Sequence, residues 1–135
     1  MFNEKTTAIV KCVINPSHVD DYGHLNNAHY SYYFEKGRIA LQEKFGLKDS
    51  VLAEKGIGFL VFTATYKYKK QVFANAEVEI HSQFVPYDKG ARIYIDHTMY
   101  LNRDIVASAR TEHVFVNLKS NKPIKPLDEL IQKIT

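Results

Sequence analysis

The sequence has few of the features that mark secreted or membrane proteins. It contains one cysteine, Cys12, in 135 residues, so no disulfide can form within the chain and a reducing compartment is expected. No apolar run reaches the roughly 18 residues of a membrane span, and the longest, residues 57–66, includes two threonines. Residues 1–5 lack the basic and apolar regions of a secretory signal. These absences predict a cytoplasmic protein with no membrane partner.

The sequence also lacks a strong charge of either sign. Its formal net charge is +3, and basic residues are scattered among acids except at residues 67–70, which read KYKK. A nucleic-acid interface needs a continuous basic face with interleaved aromatics, so no nucleic-acid partner is predicted. The KYKK segment is either a solvated strand end or a contact for the phosphates of a small nucleotide-containing ligand.

Several common catalytic motifs are missing. There is no G-x-S-x-G elbow, no phosphate-binding P-loop and no H-E-x-x-H pair. The glycines of residues 56–58 lack the third glycine of a dinucleotide fingerprint, so this segment is predicted as a turn into a strand. Cys12 falls in an apolar strand register, which favours an inert core thiol over a nucleophile.

The histidines do not predict a metal site. His18, His24 and His29 are close in sequence, but their spacing does not place them on one helical face, and zinc sites gather three or four ligands. His97 and His113 occupy apolar registers of predicted strands. These two are therefore expected to be hydrogen-bonded core or interface histidines.

The hydrophobic pattern predicts an α+β domain covering residues 1–135. A strand over residues 6–15 precedes a helix over residues 27–45, whose apolar positions recur at spacings of three and four and which stops at Gly46. A short helical segment near residues 50–55 is followed by a four-strand meander and a short terminal helix. Turn sequences at residues 88–90 and 102–104 predict that consecutive strands pair antiparallel.

Residues 20–30 read DDYGHLNNAHY and lead directly into the long helix. A turn that delivers a carboxylate beside a helix N-terminus can activate water and stabilise a developing oxyanion. The same residues have a structural explanation, in which Asp20 and Asp21 accept hydrogen bonds within a turn and Asn26 or Asn27 caps the helix. The residues alone leave both explanations open.

This motif resembles the signature of the hotdog-fold acyl-CoA thioesterases of the 4-hydroxybenzoyl-CoA thioesterase type. The signature has an Asp, two variable residues, Gly-His, an apolar residue, Asn-Asn, and a Tyr three positions on. It continues into an aromatic pair, Glu and Arg, matched here by residues 33–35 and Arg38, and residues 107–117 resemble the last long strand of the family. The resemblance implies a hotdog fold, in which a curved antiparallel sheet wraps around the helix over residues 27–45.

The resemblance also implies the activity and the partners. The reaction is hydrolysis of an acyl thioester to a carboxylic acid and a free thiol, with coenzyme A or acyl carrier protein as part of the substrate. No metal or bound cofactor is implied. Family members are dimers or homotetramers with active sites at subunit interfaces.

Carried over position by position, the resemblance assigns the catalytic roles. Asp20 is the catalytic acid, acting either as general base or as nucleophile. The backbone N–H of Asn27 is the oxyanion donor, near the positive end of the helix dipole. His24 and Asn26 would hold the loop or the water. Two further motif residues, Gly23 and Tyr30, are assigned to substrate binding. Tyr30 is expected to pack and orient the helix.

Six further substrate-binding candidates rest on strand position and not on the motif. The acyl-pocket candidates are Phe59, Leu60 and Phe62. The candidates for binding phosphates are Lys69, Lys70 and Arg110.

One position departs from the family pattern, and three other functions remain as alternatives. Many relatives carry an acid two residues before the catalytic one, where this chain has His18, which is expected either to change the loop geometry or to form an ion pair with Asp20. The alternatives to an acyl-CoA thioesterase are a non-catalytic acyl-CoA-binding hotdog protein, an acyl-carrier-protein thioesterase, and a hydratase or dehydratase.

Overall fold

The computed structural model describes residues 3–135. Met1 and Phe2 lie outside the described residues, and they belong to the segment in which no secretory signal was predicted. Three short 3-10 turns cover Glu4–Thr6, Pro16–His18 and Asn27–His29. Nowhere in residues 3–135 is there a helix with the length and apolar character needed to cross a membrane. The longer elements, in chain order, are β1 (Thr7–Val13), α1 (Tyr30–Lys44), α2 (Asp49–Glu54), β2 (Ile57–Tyr68), β3 (Glu77–Phe84), β4 (Arg92–Leu101), β5 (Asp104–Asn117), β6 (Lys122–Ile124) and α3 (Asp128–Ile134).

The strands form one antiparallel sheet in the order β1-β3-β4-β5-β2, with β6 paired to the end of β5. The predicted turns do join β3 to β4 and β4 to β5 as antiparallel neighbours. The prediction of a continuous four-strand meander is wrong, because β2 pairs with β5 and not with β3. Residues 69–76 form an irregular connection where a hairpin would need a tight turn, so the chain crosses the sheet and leaves β2 at its edge.

Helix α1 lies on one face of this sheet and packs mainly against β1, β3 and β4. The predicted apolar stripe is its buried side, and it comprises Tyr30, Tyr33, Phe34, Gly37 and Leu41. Most of β2 is exposed along its length. The α+β arrangement of one long helix on an antiparallel sheet is therefore confirmed, with much of β2 left exposed.

Helix α1 approaches the sheet closely at Gly37. A Cβ atom at this position would lie 2.1 Å from Ser82 Oγ and 2.8 Å from Ile80 Cγ2 of β3. These distances are too short for any side chain, so glycine is kept although it costs a helix about 1 kcal/mol relative to alanine. The contact fixes how deeply the helix sits on the sheet.

Two hydrophobic clusters hold α1 in place, and the one at its N-terminal half also holds the preceding loop. In this cluster Leu25 from the loop and Val72 from the segment after β2 pack with Tyr30, Tyr33 and Phe34 of α1. Cys12 lies at the edge of the cluster, partly buried, and burial raises the pKa of its thiol. The packing therefore fixes the motif segment against the helix that follows it.

Candidate active site

The motif segment forms a tight turn at Asp20. The Gly23 N–H donates to the Asp20 carbonyl oxygen at 2.9 Å, and the Asp20 N–H donates to the His24 carbonyl oxygen at 2.8 Å. Gly23 has a φ of 80°, in the left-handed region that glycine adopts without strain. The glycine of the motif is therefore needed to close the turn.

The Asp20 carboxylate is held by the backbone of its own turn. Its Oδ1 accepts hydrogen bonds from the N–H groups of Tyr22 at 2.9 Å and His24 at 3.1 Å. Among residues 3–135 no hydrogen bond is made to Oδ2 of Asp20. Asp20 is partly buried, whereas Asp21 is exposed. The turn thus uses one carboxylate oxygen and leaves the other for a ligand or water.

The second arm of the turn is tied to the segment that follows β2. The Leu25 N–H donates to the Val72 carbonyl oxygen at 2.7 Å, and His24 forms a β-bridge with Phe73, whose ring lies 5.0 Å from its own. A further bridge joins Val19 to Leu25. His24 therefore packs the turn in place, which is one of the two roles expected for it.

The helix mouth is capped by Asn26 and leaves the N–H of Asn27 open. The Asn26 Oδ1 accepts from the Ala28 N–H at 2.9 Å, and the Asn26 carbonyl oxygen accepts from the His29 N–H at 2.9 Å. The Asn27 N–H is the first of the 3-10 turn and so has no acceptor within it. It lies at the exposed, positive end of the α1 dipole, where an anion would be stabilised.

His18 is hydrogen-bonded to α1 and not to Asp20. Its Nδ1 lies 2.6 Å from the Tyr33 hydroxyl, and its ring stacks on His29 with centroids 4.4 Å apart. The expected ion pair with Asp20 is not found among the described residues.

A cavity of about 400 Å³ lies between α1 and the inner side of β2. Ser31, Glu35 and Arg38 share one face of the helix and form one wall, which runs about 10 Å along the helix axis at 1.5 Å per residue. Ser31 is about one helical turn from the open N–H of Asn27. The full lining is Ser31, Tyr32, Phe34, Glu35, Arg38, Val61, Ala64, Tyr66, His97 and Thr111.

The floor of this cavity is a buried chain of hydrogen bonds. The Ser82 hydroxyl is 2.7 Å from His97 Nδ1, and Thr111 Oγ1 is 2.9 Å from His97 Nε2 and 2.7 Å from His113 Nε2. Burial lowers the pKa of His97 from 6.5 to about 4 and that of His113 from 6.5 to about 3. Both histidines are therefore neutral at pH 7, and the prediction that they are hydrogen-bonded core residues is confirmed.

The cation in the cavity wall is already compensated. Arg38 donates to Glu35 at 2.8 Å and to the Gln42 side-chain oxygen, and it lies 3.5 Å from Asp49. The Arg38 side chain is only 11% exposed, whereas that of Glu35 is 56% exposed, so the cation lies within the wall and its carboxylate partner faces solvent. The cavity consequently offers paired polar groups beside apolar surface and no isolated charge.

The structure does not bring the three acyl-pocket candidates together. Phe59 is buried and stacks on His113 at 4.5 Å. Leu60 and Phe62 are 48% and 58% exposed, and the Arg92 guanidinium lies 3.7 Å from the Phe62 ring centroid. The pairing of β2 with β5 shifts register around Phe62. Strand position alone could not show this register shift, and the cavity is lined by other residues of β2, Val61, Ala64 and Tyr66.

The candidate phosphate ligands also lie apart from the helix mouth within one chain. Arg110 donates to both carboxylate oxygens of Asp96, at 2.6 and 2.8 Å, which raises its pKa. It lies on the face of the sheet opposite the buried Thr111. Lys70 approaches Asp104 at 3.4 Å in an exposed pair, and Lys69 is exposed. The phosphate contacts remain predictions.

Sequence reasoning missed most of the cavity lining, although one signal was present. Ser31, Glu35 and Arg38 are spaced by four and three residues, which puts them on a single helical face beside the apolar stripe. That pattern marks a polar stripe but does not tell whether it faces solvent or a cavity. The contributions of His97 and Thr111 depend on strand pairing and had no local signal.

Within residues 3–135, no group of three or more His, Cys, Asp or Glu side chains is arranged to hold a metal ion. One long helix on an antiparallel sheet, with an acid-bearing turn at the helix mouth, is the arrangement of the hotdog thioester hydrolases. Comparison with known families agrees, because residues 14–134 match the model of the thioesterase-like superfamily. The chain belongs to this superfamily, which confirms the resemblance seen in the motif.

Individual relatives are similar over most of the chain. A protein of Bacillus subtilis (strain 168) named "Putative acyl-CoA thioesterase YneP" is 26% identical over 106 residues, which cover 78% of this chain and 77% of that protein. A crystal structure from Aquifex aeolicus matches with a TM-score of 0.85 at 20% identity, covering 95% of this chain and 99% of that one. The DHNA-CoA thioesterase of Staphylococcus aureus matches with a TM-score of 0.81 at 20% identity, covering 88% and 80%.

The lowered pKa values of the two floor histidines predict acid-sensitive stability. Both pKa values are below the ordinary 6.5, so between about pH 6.5 and pH 4 the unfolded chain binds more protons than the folded one. The contribution of the two neutral histidines to the free energy of unfolding is complete above about pH 6.5. It declines as the pH falls, by up to about 1.4 kcal/mol per pH unit for each histidine. Urea unfolding at several pH values measures this slope.

A His97→Gln variant tests the assignment, because it removes one titrating group and should flatten the slope between about pH 6.5 and pH 5. A wild-type free energy of unfolding that stays constant across this window would contradict the buried neutral state of both histidines.

Proposed function

We propose that this protein hydrolyses acyl-CoA thioesters to a carboxylic acid and free CoA, with Asp20 as general base and the Asn27 N–H as oxyanion donor. The observation that carries the proposal is the turn at Asp20. Two backbone N–H groups fix one carboxylate oxygen there, while the other accepts no hydrogen bond among residues 3–135, and the same segment leads into an open helix N-terminus. Membership in the thioesterase-like superfamily and the printed name of the Bacillus relative support the same reaction.

The proposed hydrolysis has two stages, the addition of water to the thioester and the departure of the thiolate. Asp20 Oδ2 takes a proton from water as the water oxygen attacks the thioester carbonyl carbon. The carbonyl oxygen becomes negatively charged and is stabilised by the Asn27 N–H and the positive end of the α1 dipole. The C–S bond then breaks, the carbonyl re-forms as part of the acid, and the departing thiolate takes the proton held by Asp20.

We place the acyl group in the cavity along α1. The cavity starts about one turn from the Asn27 N–H and runs along the wall formed by Ser31, Glu35 and Arg38. A thioester carbonyl at the helix mouth would direct its acyl group into this space and leave the CoA portion outside. The buried Tyr30 sets the orientation of the first helical turn, and Gly23 closes the turn that carries Asp20.

We also propose that two copies of the chain associate along β2 in the cytoplasm. This 12-residue strand is at the edge of the sheet, and long exposed apolar edges are normally covered. Leu60, Val61 and Phe62 are 48%, 50% and 58% exposed. A second copy would cover these side chains and close the open side of the cavity.

Replacing Asp20 with asparagine should lower kcat at least about a hundredfold, as expected when a positioned base is lost. Asparagine keeps an oxygen that can accept the Tyr22 and His24 N–H bonds, so the turn should remain folded. The measurement is release of free thiol from acetyl, hexanoyl, palmitoyl, benzoyl and phenylacetyl-CoA. Asp21→Asn, at the exposed neighbouring acid, is the matched control and should retain activity.

Equal turnover by wild type and Asp20→Asn would eliminate Asp20 as the catalyst. If rapid quenching trapped a covalent acyl-Asp20 species, Asp20 would be a nucleophile and not a general base. Saturable binding of acyl-CoA without any thiol release, from CoA or from carrier-protein thioesters, would instead indicate a binding protein.

The oxyanion role of Asn27 is tested by removing its N–H. Proline is tolerated at the first position of a helix, and Asn26, at φ −71° and ψ 139°, already has the conformation that proline imposes on its predecessor. Asn27→Pro should therefore fold and lower kcat by about 10²- to 10³-fold. Asn27→Ala keeps the N–H and should lose far less. Similar activity in both variants would exclude the N–H as the donor.

Association through β2 is tested by sedimentation velocity. Val61→Lys should shift the protein toward monomers, because a charge would have to be buried in the proposed interface. Val13→Lys places the same charge at a 57% exposed valine on β1, at the opposite edge of the sheet, and should leave the oligomer intact. Monomeric wild-type protein, or dissociation by the Val13 variant alone, would rule out this interface.

A further inference from the structure

The Tyr33 hydroxyl is a buried polar group that the proposed reaction does not use. Tyr33 is 1% exposed and lies at the end of the first turn of α1. Its oxygen accepts the Asn15 N–H at 3.0 Å and lies 2.6 Å from His18 Nδ1. Both partners belong to the segment between β1 and the catalytic turn. One phenol thus joins the helix to the start of the motif loop.

The direction of these hydrogen bonds follows from the donors present. The Asn15 N–H can only donate, so it occupies a lone pair of the phenol oxygen. Burial raises the pKa of Tyr33, so the phenol keeps its proton at neutral pH, and His18 Nδ1 is the acceptor within reach at 2.6 Å. We therefore infer that Tyr33 donates to Nδ1 and that His18 carries its own proton on Nε2.

From His18 the connection continues to the helix mouth. The His18 carbonyl oxygen accepts the Asn26 N–H at 3.0 Å, and Asn26 in turn caps the turn that begins at Asn27. The His18 ring also stacks on His29, at the end of the same 3-10 turn. Two routes, one through the backbone and one through the rings, therefore run from Tyr33 to the proposed oxyanion donor.

We propose that Tyr33 and His18 form a positioning pair that fixes the loop carrying Asp20 and the N–H of Asn27 relative to α1. This inference rests on the proposed function and assigns roles to two residues that do not touch the reacting atoms. The pair is one of the contacts that anchor the loop, beside the backbone bond from Leu25 to Val72.

A packing role alone does not explain the hydroxyl. The neighbouring Phe34 is 2% exposed and fills the same cluster without a polar atom. A buried hydroxyl is costly unless it is hydrogen-bonded. A phenylalanine at position 33 would pack as well and would bury no hydroxyl that needs a hydrogen-bond partner. The hydroxyl is accounted for by its two bonds to the loop.

The first test compares Tyr33→Phe with wild type in thiol-release kinetics. We expect kcat to fall about ten- to a hundredfold, the effect of displacing catalytic groups by up to about 1 Å, with KM changed less than about twofold. The matched control is Tyr87→Phe, which removes one hydroxyl in the same way. The Tyr87 hydroxyl donates a hydrogen bond to the Gly90 carbonyl oxygen at 2.8 Å. This control should retain wild-type kcat.

A second set of variants acts on the partly exposed His18, where folding is less at risk. His18→Asn keeps an acceptor near the position of Nδ1 and should retain most of the activity, whereas His18→Leu removes the acceptor and should match the loss in Tyr33→Phe. The double variant Tyr33→Phe/His18→Leu should lose little more than either single variant, because both remove the same bond.

A readout independent of turnover is the nitrogen NMR spectrum of His18. Wild type should show an unprotonated Nδ1 in a single tautomer, and Tyr33→Phe should show both tautomers. Wild-type kcat in folded Tyr33→Phe, an equal loss in Tyr87→Phe, or additive losses in the double variant would overturn the positioning role. Absence of thiol release by wild type would instead overturn the proposed function, while the His18 spectrum would still report whether the pair exists.

Discussion

The contact between Gly37 and β3 sets the distance between α1 and the sheet, and the candidate site depends on that distance. Because Gly37 has no side chain to hold the helix away from Ser82 and Ile80, α1 packs closely onto β1, β3 and β4. Its first turn is then within reach of the loop after β1, where Tyr33 meets Asn15 and His18. A helix lifted by even one methyl group would move away from the loop that supplies Asp20.

The position of α1 also explains where the cavity forms. Helix α1 packs mainly on β1, β3 and β4, and along much of β2 the side chains stay exposed. The space that results is bounded by a paired Arg38 on one side and by neutral, hydrogen-bonded His97 below. Substrate entering it would meet polar groups that are already satisfied, and its orientation would then be set mainly by the helix mouth and the shape of the space.

The local features of this fold could be read from the sequence, and the non-local ones could not. The helix, its glycine stop and the β3–β4–β5 hairpins follow from periodicity and turn residues that lie close together in the chain. The pairing of β2 with β5 depends on contacts between distant residues, and the register shift around Phe62 has no local marker. The acyl-pocket candidates were chosen from strand position alone, whereas the residues of β2 that line the cavity are Val61, Ala64 and Tyr66. His18 was noted as a departure, but its bond to Tyr33 required the helix and the loop to be seen together.

The crossing of β2 to the far edge of the sheet has a consequence for the order of assembly. During synthesis β2 leaves the ribosome before β5, its only partner in the described sheet, which begins at Asp104. Until then an apolar strand has neither of its edges paired, and closing the long intervening loop costs entropy before the pairing compensates for it. The β2 side of the cavity is thus completed after the motif loop and α1 can already have met. A nascent chain passes through a stage at which the turn at Asp20 can be formed while the cavity is still open along β2, and during that stage β2 is exposed to pairing with another chain.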